Sequence, residues 1–177
     1  MTVARGPAIV VRSLSHRATR GHVVIGHLRL PCALGRGGRR VIKREGDGAT
    51  PIGAWPLREV RYRANHVIRP LTPLRARPLR EHDGWCDAPA DRNYNRAVHH
   101  PYPTSAEQLW RGDRIYDLVL VLGYNDTPRR RGRGSAIFLH LARENYTPTE
   151  GCIALSPRDA RLLLARVRTT SRLIVLG

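Results

Sequence analysis

Short runs of apolar and β-branched residues recur along the chain, at 8–11, 22–25 with 28–30, 54–62, 117–123, 136–141 and 173–176. Gly, Pro and Asp punctuate these runs, as expected where strands alternate with loops. The pattern predicts a mainly β fold. No internal repeat or heptad run interrupts it, and composition does not shift as it would between two domains, so residues 1–177 are expected to form a single domain.

Two stretches carry helical signals. Over 157–168, Ser156 can cap, Pro157 suits the first helical position and Asp159 falls in the acid-favoured first turn. Leu162, Leu163 and Val167 supply an apolar face there, broadened by Leu164. A shorter helix is expected over 105–111, capped by Thr104 or Ser105, with Leu109 and Trp110 packing inward. Between 63 and 103 the chain is rich in Pro, Arg, Asp and His with little periodicity, and a stretch of that length reads as a functional loop or lid. Its Asp83, Trp85 and Asp87, and its Tyr94-Asn95 pair, are of the kind that line a pocket.

With 177 residues, 41% of them hydrophobic, the chain can bury an ordinary core. Its net charge of +17 comes from arginine, since Lys43 is the only lysine. The arginines run from Arg5 to Arg172, with one cluster at Arg129, Arg130, Arg131 and Arg133. Such a spread reads first as solvated surface, next as attraction for a small anionic ligand, and last as a nucleic-acid footprint. A nucleic-acid partner is therefore not expected.

Cys32, Cys86 and Cys152 are odd in number and include no CxxC pair, which argues against both a disulfide framework and a four-cysteine zinc site. Cys32 and Cys86 read as small buried hydrophobes, and free thiols suit a reducing compartment. His82 with Asp83 and Cys86, and the His99-His100 pair, lack zinc-ligand spacing backed by a second pair, so neither metal nor cofactor is expected. His22 and His27 read as strand surface residues. The first twenty residues lack the apolar core of a secretory signal, and no stretch approaches the roughly 20 apolar residues of a membrane span. The expectation is a cytoplasmic protein, or a periplasmic one if the true start lies elsewhere.

The chemistry concentrates where Cys152 stands twelve positions after His140, at the end of the run 136–141. A thiol is a weak nucleophile until it loses its proton, and a nearby imidazole can take that proton and hold the thiolate as an ion pair. Gly151, just before the cysteine, lets a reacting carbonyl approach without a Cβ in the way. The N–H groups of Gly151 and Cys152 are the expected oxyanion donors. Without the thiol, His140 would read as an ordinary strand histidine; with it, His140 reads as the base.

His140 followed by Thr149-Glu150-Gly151-Cys152 matches a histidine and a Ser/Thr-x-Gly-Cys element, and Gly46-Asp47-Gly48-Ala49-Thr50-Pro51-Ile52-Gly53 matches a Gly-Asp-x-x-Thr-Pro-x-Gly turn. With the turn first and the histidine and cysteine element about a hundred residues later, the two motifs resemble the L,D-transpeptidase catalytic domain, or YkuD-like family, the cysteine acyltransferases of bacterial peptidoglycan. The resemblance runs from about residue 30 to about residue 160. It implies a β-sandwich-like fold with a few short helices. It also implies attack by Cys152 Sγ on the bond between the L-centre of diaminopimelate and D-alanine in a stem tetrapeptide, with His140 protonating the leaving D-alanine. Cys32 to Gly35, Lys43 to Gly46, Asp83 to Asp87, Tyr94-Asn95 and Phe138 to Arg143 are similar to a compact, leaderless branch of cytosolic L,D-carboxypeptidases that trim muropeptides in wall recycling.

The expected partner is thus a muropeptide or peptidoglycan stem peptide. Arg143 is the expected contact for its carboxylates, because a guanidinium fork matches a carboxylate. Tyr146, Thr149, Trp85, Tyr94 and Asn95 are expected as further contacts. The turn 46–53 reads as structural, with Asp47 and Thr50 side chains bonding backbone, and it can also wall the pocket. Three positions depart from the commoner family pattern: Leu141 stands where many members have glycine, Glu150 where histidine is frequent, and Ala154 where arginine or asparagine is usual. Each is expected near the substrate, which leaves the acyl acceptor open: water in a carboxypeptidase, an amine in a transpeptidase that crosslinks or exchanges D-amino acids. A basic nucleic-acid-binding protein is the reading from another class, and it gives the His140 and Cys152 elements no role.

Overall fold

The computed structural model describes residues 6–177, so Arg5 and the rest of 1–5 lie outside the described residues. Each apolar run becomes a strand: β1 Ile9–Arg12, β2 Arg20–Ile25, β3 Leu28–Ala33, β6 Gly53–Tyr62, β11 Leu118–Leu122, β12 Phe138–Leu141 and β14 Arg172–Val175. Between the last two, β13 Ile153–Leu155 and the helix α1 Pro157–Leu164 follow the motif cysteine. The strands hydrogen-bond in the order β11-β12-β13-β3-β2-β1-β14-β6, and β6 pairs back onto β11, so the sandwich-like sheet closes into a ring. The short strands β4 Arg39–Arg40 and β5 Thr50–Pro51 pair with one another, and a further strand, β7 Ala76–Pro78, lies against β6. The fold is mainly β, as the pattern predicts.

Period-two alternation sorts the side chains. Ile9 and Val11, Val23 and Ile25, Leu30 and Cys32, Leu139 and Leu141, Ile153 and Leu155, and Leu173 and Val175 join one apolar core inside the ring. Ala160, Leu163 and Leu164 of α1 complete that core. Ser156 caps α1, its Oγ accepting from Asp159 N at 3.1 Å. The helix ends at Leu164, short of the expected residue 168. Val167, Thr169 and Thr170 are weak helix formers, and the chain must turn there to enter β14, although Val167 still packs into the core.

Two expectations are corrected. The stretch 105–111 is not a helix: Ala106–Gln108 is strand β10, paired with β8 Asp83–Cys86 through Glu107 opposite Trp85. Seven residues cannot sustain a helix alone, and the sheet partner offered by β8 outweighs local propensity. The stretch 63–103 is likewise not one irregular loop. It holds β7, β8 and β9 Ala97–His99, and β8, β9 and β10 form a small three-stranded sheet in the order β10-β8-β9. His22 does lie in β2, whereas His27 sits in the β2–β3 turn after Gly26, whose φ is +57°.

Candidate active site

Opposite faces of β12 serve opposite ends. Leu139 and Leu141 point into the ring, while Phe138 and His140 fall on its outer face, as alternation requires. Val119, Val121, Phe138 and Cys152 form a second apolar cluster on that outer face, with Leu79, Leu109 and Tyr116 packed over them and Trp85 against the edge. The small sheet therefore roofs the part of the ring that carries the motif residues. β13 runs parallel to β12 with His140 opposite Ala154, so Cys152, just ahead of β13, arrives beside Phe138. The Phe138 N–H donates to Cys152 Sγ at 3.3 Å, and Sγ donates to the Ala136 carbonyl at 3.2 Å.

His140 is 4% exposed, and its Nδ1 lies 2.9 Å from the Leu141 carbonyl. A carbonyl only accepts, so Nδ1 carries the proton and Nε2 keeps the lone pair. The Tyr116 ring packs edge-on against the imidazole, with centroids 5.2 Å apart. Burial holds His140 down to about 4, and burial, with the Glu107 charge adding, pushes the Cys152 thiol up to about 12. The resting pair is therefore a neutral thiol and a neutral imidazole, where the spacing alone suggests an ion pair.

Both residues line one cavity of about 420 Å³, together with Glu107, Arg111, Tyr116, Ser135, Arg143, Thr149 and Glu150. Asp113 stands behind the arginines, 2.7 Å from Arg111 and 3.1 Å from Arg143. The Arg111 hydrogen bond chiefly draws the Asp113 carboxyl down to about 2. Two guanidinium groups share this single carboxylate, which leaves that wall of the cavity net positive.

The turn before Cys152 is held by the second motif. Gly151 has φ +123°, and a Cβ there would meet the Ala49 carbonyl oxygen at 2.7 Å, so the close approach of the two motifs requires glycine. Thr149 Oγ1 donates to the Cys152 carbonyl at 2.7 Å and accepts from Gly151 N at 3.2 Å. Of the two expected oxyanion donors, the Gly151 N–H is thus already engaged. Asp47 accepts from Ala49 N at 2.9 Å, Arg44 N at 2.8 Å and Lys43 Nζ at 2.6 Å, while Thr50 Oγ1 accepts from Gly35 N at 2.9 Å. The turn 46–53 is structural, as expected, and Gly46 also walls the cavity.

Of the expected substrate contacts, Arg143 and Thr149 join Cys152 and His140 in the cavity. Tyr146 instead lines a groove of about 640 Å³ with Arg20, His22 and Arg29. Trp85 and Asn95 line another depression beside Arg61 and Tyr124. Tyr94 is buried, its hydroxyl donating to Glu45 and accepting from Gly134 N at 3.0 Å. Asn95 works from behind the site: its Oδ1 accepts from Ala136 N at 3.1 Å and Trp85 Nε1 at 2.9 Å, fixing the residue whose carbonyl holds the thiol. Among the departures from the family pattern only Glu150 reaches the cavity. Leu141 lies in the ring core and Ala154 is 1% exposed, which corrects the expectation that both stand near substrate.

Sequence reasoning missed Glu107, Arg111 and Tyr116. The first two fall in the stretch read as a helix, and only the Arg111-Gly112-Asp113 turn, with opposite charges two apart, hinted at a placed guanidinium.

The sequence model of the YkuD family, described as the L,D-transpeptidase catalytic domain, matches residues 7–175. Searches of curated proteins and of solved structures returned no match. No helix among the described residues is long and apolar enough to cross a membrane.

Proposed function

Because the chain belongs to the L,D-transpeptidase catalytic domain family, the cysteine acyltransferases that act on peptidoglycan stem peptides, we propose that it is an L,D-carboxypeptidase that removes the terminal D-alanine of muropeptides during wall recycling in the cytoplasm. The observation that carries this reading is the presence of Cys152, His140 and the arginine pair Arg111 and Arg143 in one cavity of about 420 Å³. A cavity of that size takes the end of one stem peptide and a water, and hydrolysis asks for no more. The free thiols Cys32, Cys86 and Cys152 support a reducing compartment.

In this mechanism the buried thiol stays protonated until substrate arrives. As Sγ attacks the carbonyl joining diaminopimelate to D-alanine, its proton passes to Nε2 of His140, and Nδ1–H···O=C of Leu141 holds the ring in the required tautomer. The Phe138 N–H, already directed at Sγ, stabilises charge growing on sulfur, and the Cys152 N–H is the remaining donor for the oxyanion. Nε2 then protonates the departing amine of D-alanine, and water, deprotonated by the same nitrogen, releases the acyl group. Arg143 and Arg111 hold a stem-peptide carboxylate, and Thr149 keeps the nucleophile's turn in place.

The test is to incubate purified protein with a disaccharide tetrapeptide, with and without a D-amino acid, and to follow products by mass spectrometry. Loss of D-alanine alone is the expected result. Exchange of the D-amino acid would replace the carboxypeptidase with a transpeptidase, and no product under reducing conditions would remove both.

A further inference from the structure

Across the chain, 31 Lys and Arg face only 14 Asp and Glu, yet the Cys152 cavity is lined by Glu45, Asp87, Glu107 and Glu150 against Arg111 and Arg143. Among these carboxylates Glu150 has an ion-pair partner, Arg36 at 2.8 Å, while Glu45, accepting from the Tyr94 hydroxyl, Glu107 and Asp87 have none among the described residues. Glu107 accepts a hydrogen bond from the neutral Tyr116 hydroxyl, and Asp87 Oδ1 is buried with no hydrogen-bond partner. A hydroxyl in the same cavity is unpartnered as well. Ser135 is 7% exposed, lines the same cavity, and its buried Oγ has no partner among the described residues.

Leaving the Asp87 and Ser135 oxygens without partners costs free energy unless a ligand satisfies them. The positions are coherent. The β8–β10 pairing brings Glu107 near Asp87, and Ser135 directly precedes Ala136, whose carbonyl holds the Cys152 thiol. An ammonium group has three N–H donors and no acceptor, and a carboxyl, a carboxylate oxygen and a hydroxyl oxygen are three acceptors. Burial raises the Glu107 carboxyl above its ordinary value, and the Asp87 charge adds to this, the condition that an incoming cation relieves.

We propose that Glu107, Asp87 and Ser135 form an ammonium subsite in the Cys152 cavity, which binds a free primary amine carried by the acyl-donor residue, while the Arg111–Asp113–Arg143 wall takes its carboxylate. The subsite rests on the stem-peptide reading above and narrows its substrate class. The acyl donor must end in a zwitterionic centre, so peptides whose distal amine is absent, acylated or tied up in a crosslink are disfavoured.

The test compares two tetrapeptides, one with meso-diaminopimelate at the third position and one with L-2-aminopimelate, which keeps the side-chain carboxylate and lacks the amine. Binding of each to the full-length Cys152→Ala protein is measured by calorimetry. The diaminopimelate peptide is expected to bind about tenfold more tightly, the lower end for a charge-assisted hydrogen bond. Adding Glu107→Gln should bring the two affinities within about twofold of one another. Equal affinities in Cys152→Ala, or a preference that survives in a folded Glu107→Gln variant, would overturn the subsite. Asp87→Asn replaces Glu107→Gln if circular dichroism shows the latter unfolded. Turnover of both peptides by the wild type with equal binding defeats the subsite alone, whereas failure of the diaminopimelate peptide to bind defeats it together with the stem-peptide reading.

Discussion

Cys32 lies in β3 and Cys152 just ahead of the neighbouring β13, whose Leu155 pairs in register with Cys32, and by acidity the two cysteines are alike. Both are buried, at 1% and 7% exposure, and burial pushes both thiols up to about 12. What differs is the side of the sheet. The Cys32 side chain belongs to the apolar core inside the ring, whereas Cys152 sits on the outer face, where the small sheet leaves a cavity shared with His140. On the proposed reading a nucleophile is set by what the sulfur faces and which base shares that space, and a lowered resting acidity is not part of the difference.

The sharpest way to break this comparison is to remove each sulfur in turn. Cys152→Ala is expected to lower D-alanine release by more than about a thousandfold, while Cys32→Ala retains activity and loses about 1–2 kcal/mol of stability through the space left in the core. Peptide turnover and urea unfolding measure the two effects, and an inactive but folded Cys32→Ala would erase the distinction.

A second contrast uses pH. His140 is held near 4 when folded, below its ordinary 6.5, so the unfolded chain binds the proton more readily between those values. Stability from this group is complete above about 6.5 and falls by up to about 3 kcal/mol as pH drops towards 4. The two thiols act in the opposite direction, losing stability as pH rises from 9 towards 12. Urea midpoints at pH 7 and pH 4.5 should converge in His140→Gln relative to wild type, and an unchanged acid loss would assign it to other groups.

Smaller in effect is the turn that presents Cys152. Gly151→Ala meets the Ala49 carbonyl and keeps an unfavourable φ, so it should cost about 1–3 kcal/mol and lower activity with it. A thermal melt that matches wild type would show that the two motifs do not press on one another. Smallest of all is the Arg36–Glu150 pair at the cavity rim, whose side chains are 57% and 74% exposed; Arg36→Ala should shift stability by less than about 0.5 kcal/mol.

The strands, the Ser156 cap and the mainly β class were legible because alternation and capping are local signals. The His140 and Cys152 elements were legible because the family motifs occupy contiguous stretches of chain. The small sheet was not. β8, β9 and β10 are each three or four residues long, and Glu107 opposite Trp85 is a pairing between segments that carry little strand signal of their own. With that sheet misread, Glu107 and Arg111 had no visible route to Cys152, while Trp85 and Asn95 looked like contacts when their hydrogen bonds and packing support the site from outside.

By itself, then, the sequence determined the strand pattern, the one substantial helix, the turn at 46–53 and the two motif residues, since each depends on neighbours within a few positions. Only the tertiary structure decided which of three cysteines shares a cavity with the imidazole, that burial disfavours the charged forms of both groups, and that the cavity's carboxylates stand opposite paired arginines. Those properties depend on burial and on side chains brought together by ring closure and by the roof of the small sheet, contacts between segments far apart in the chain.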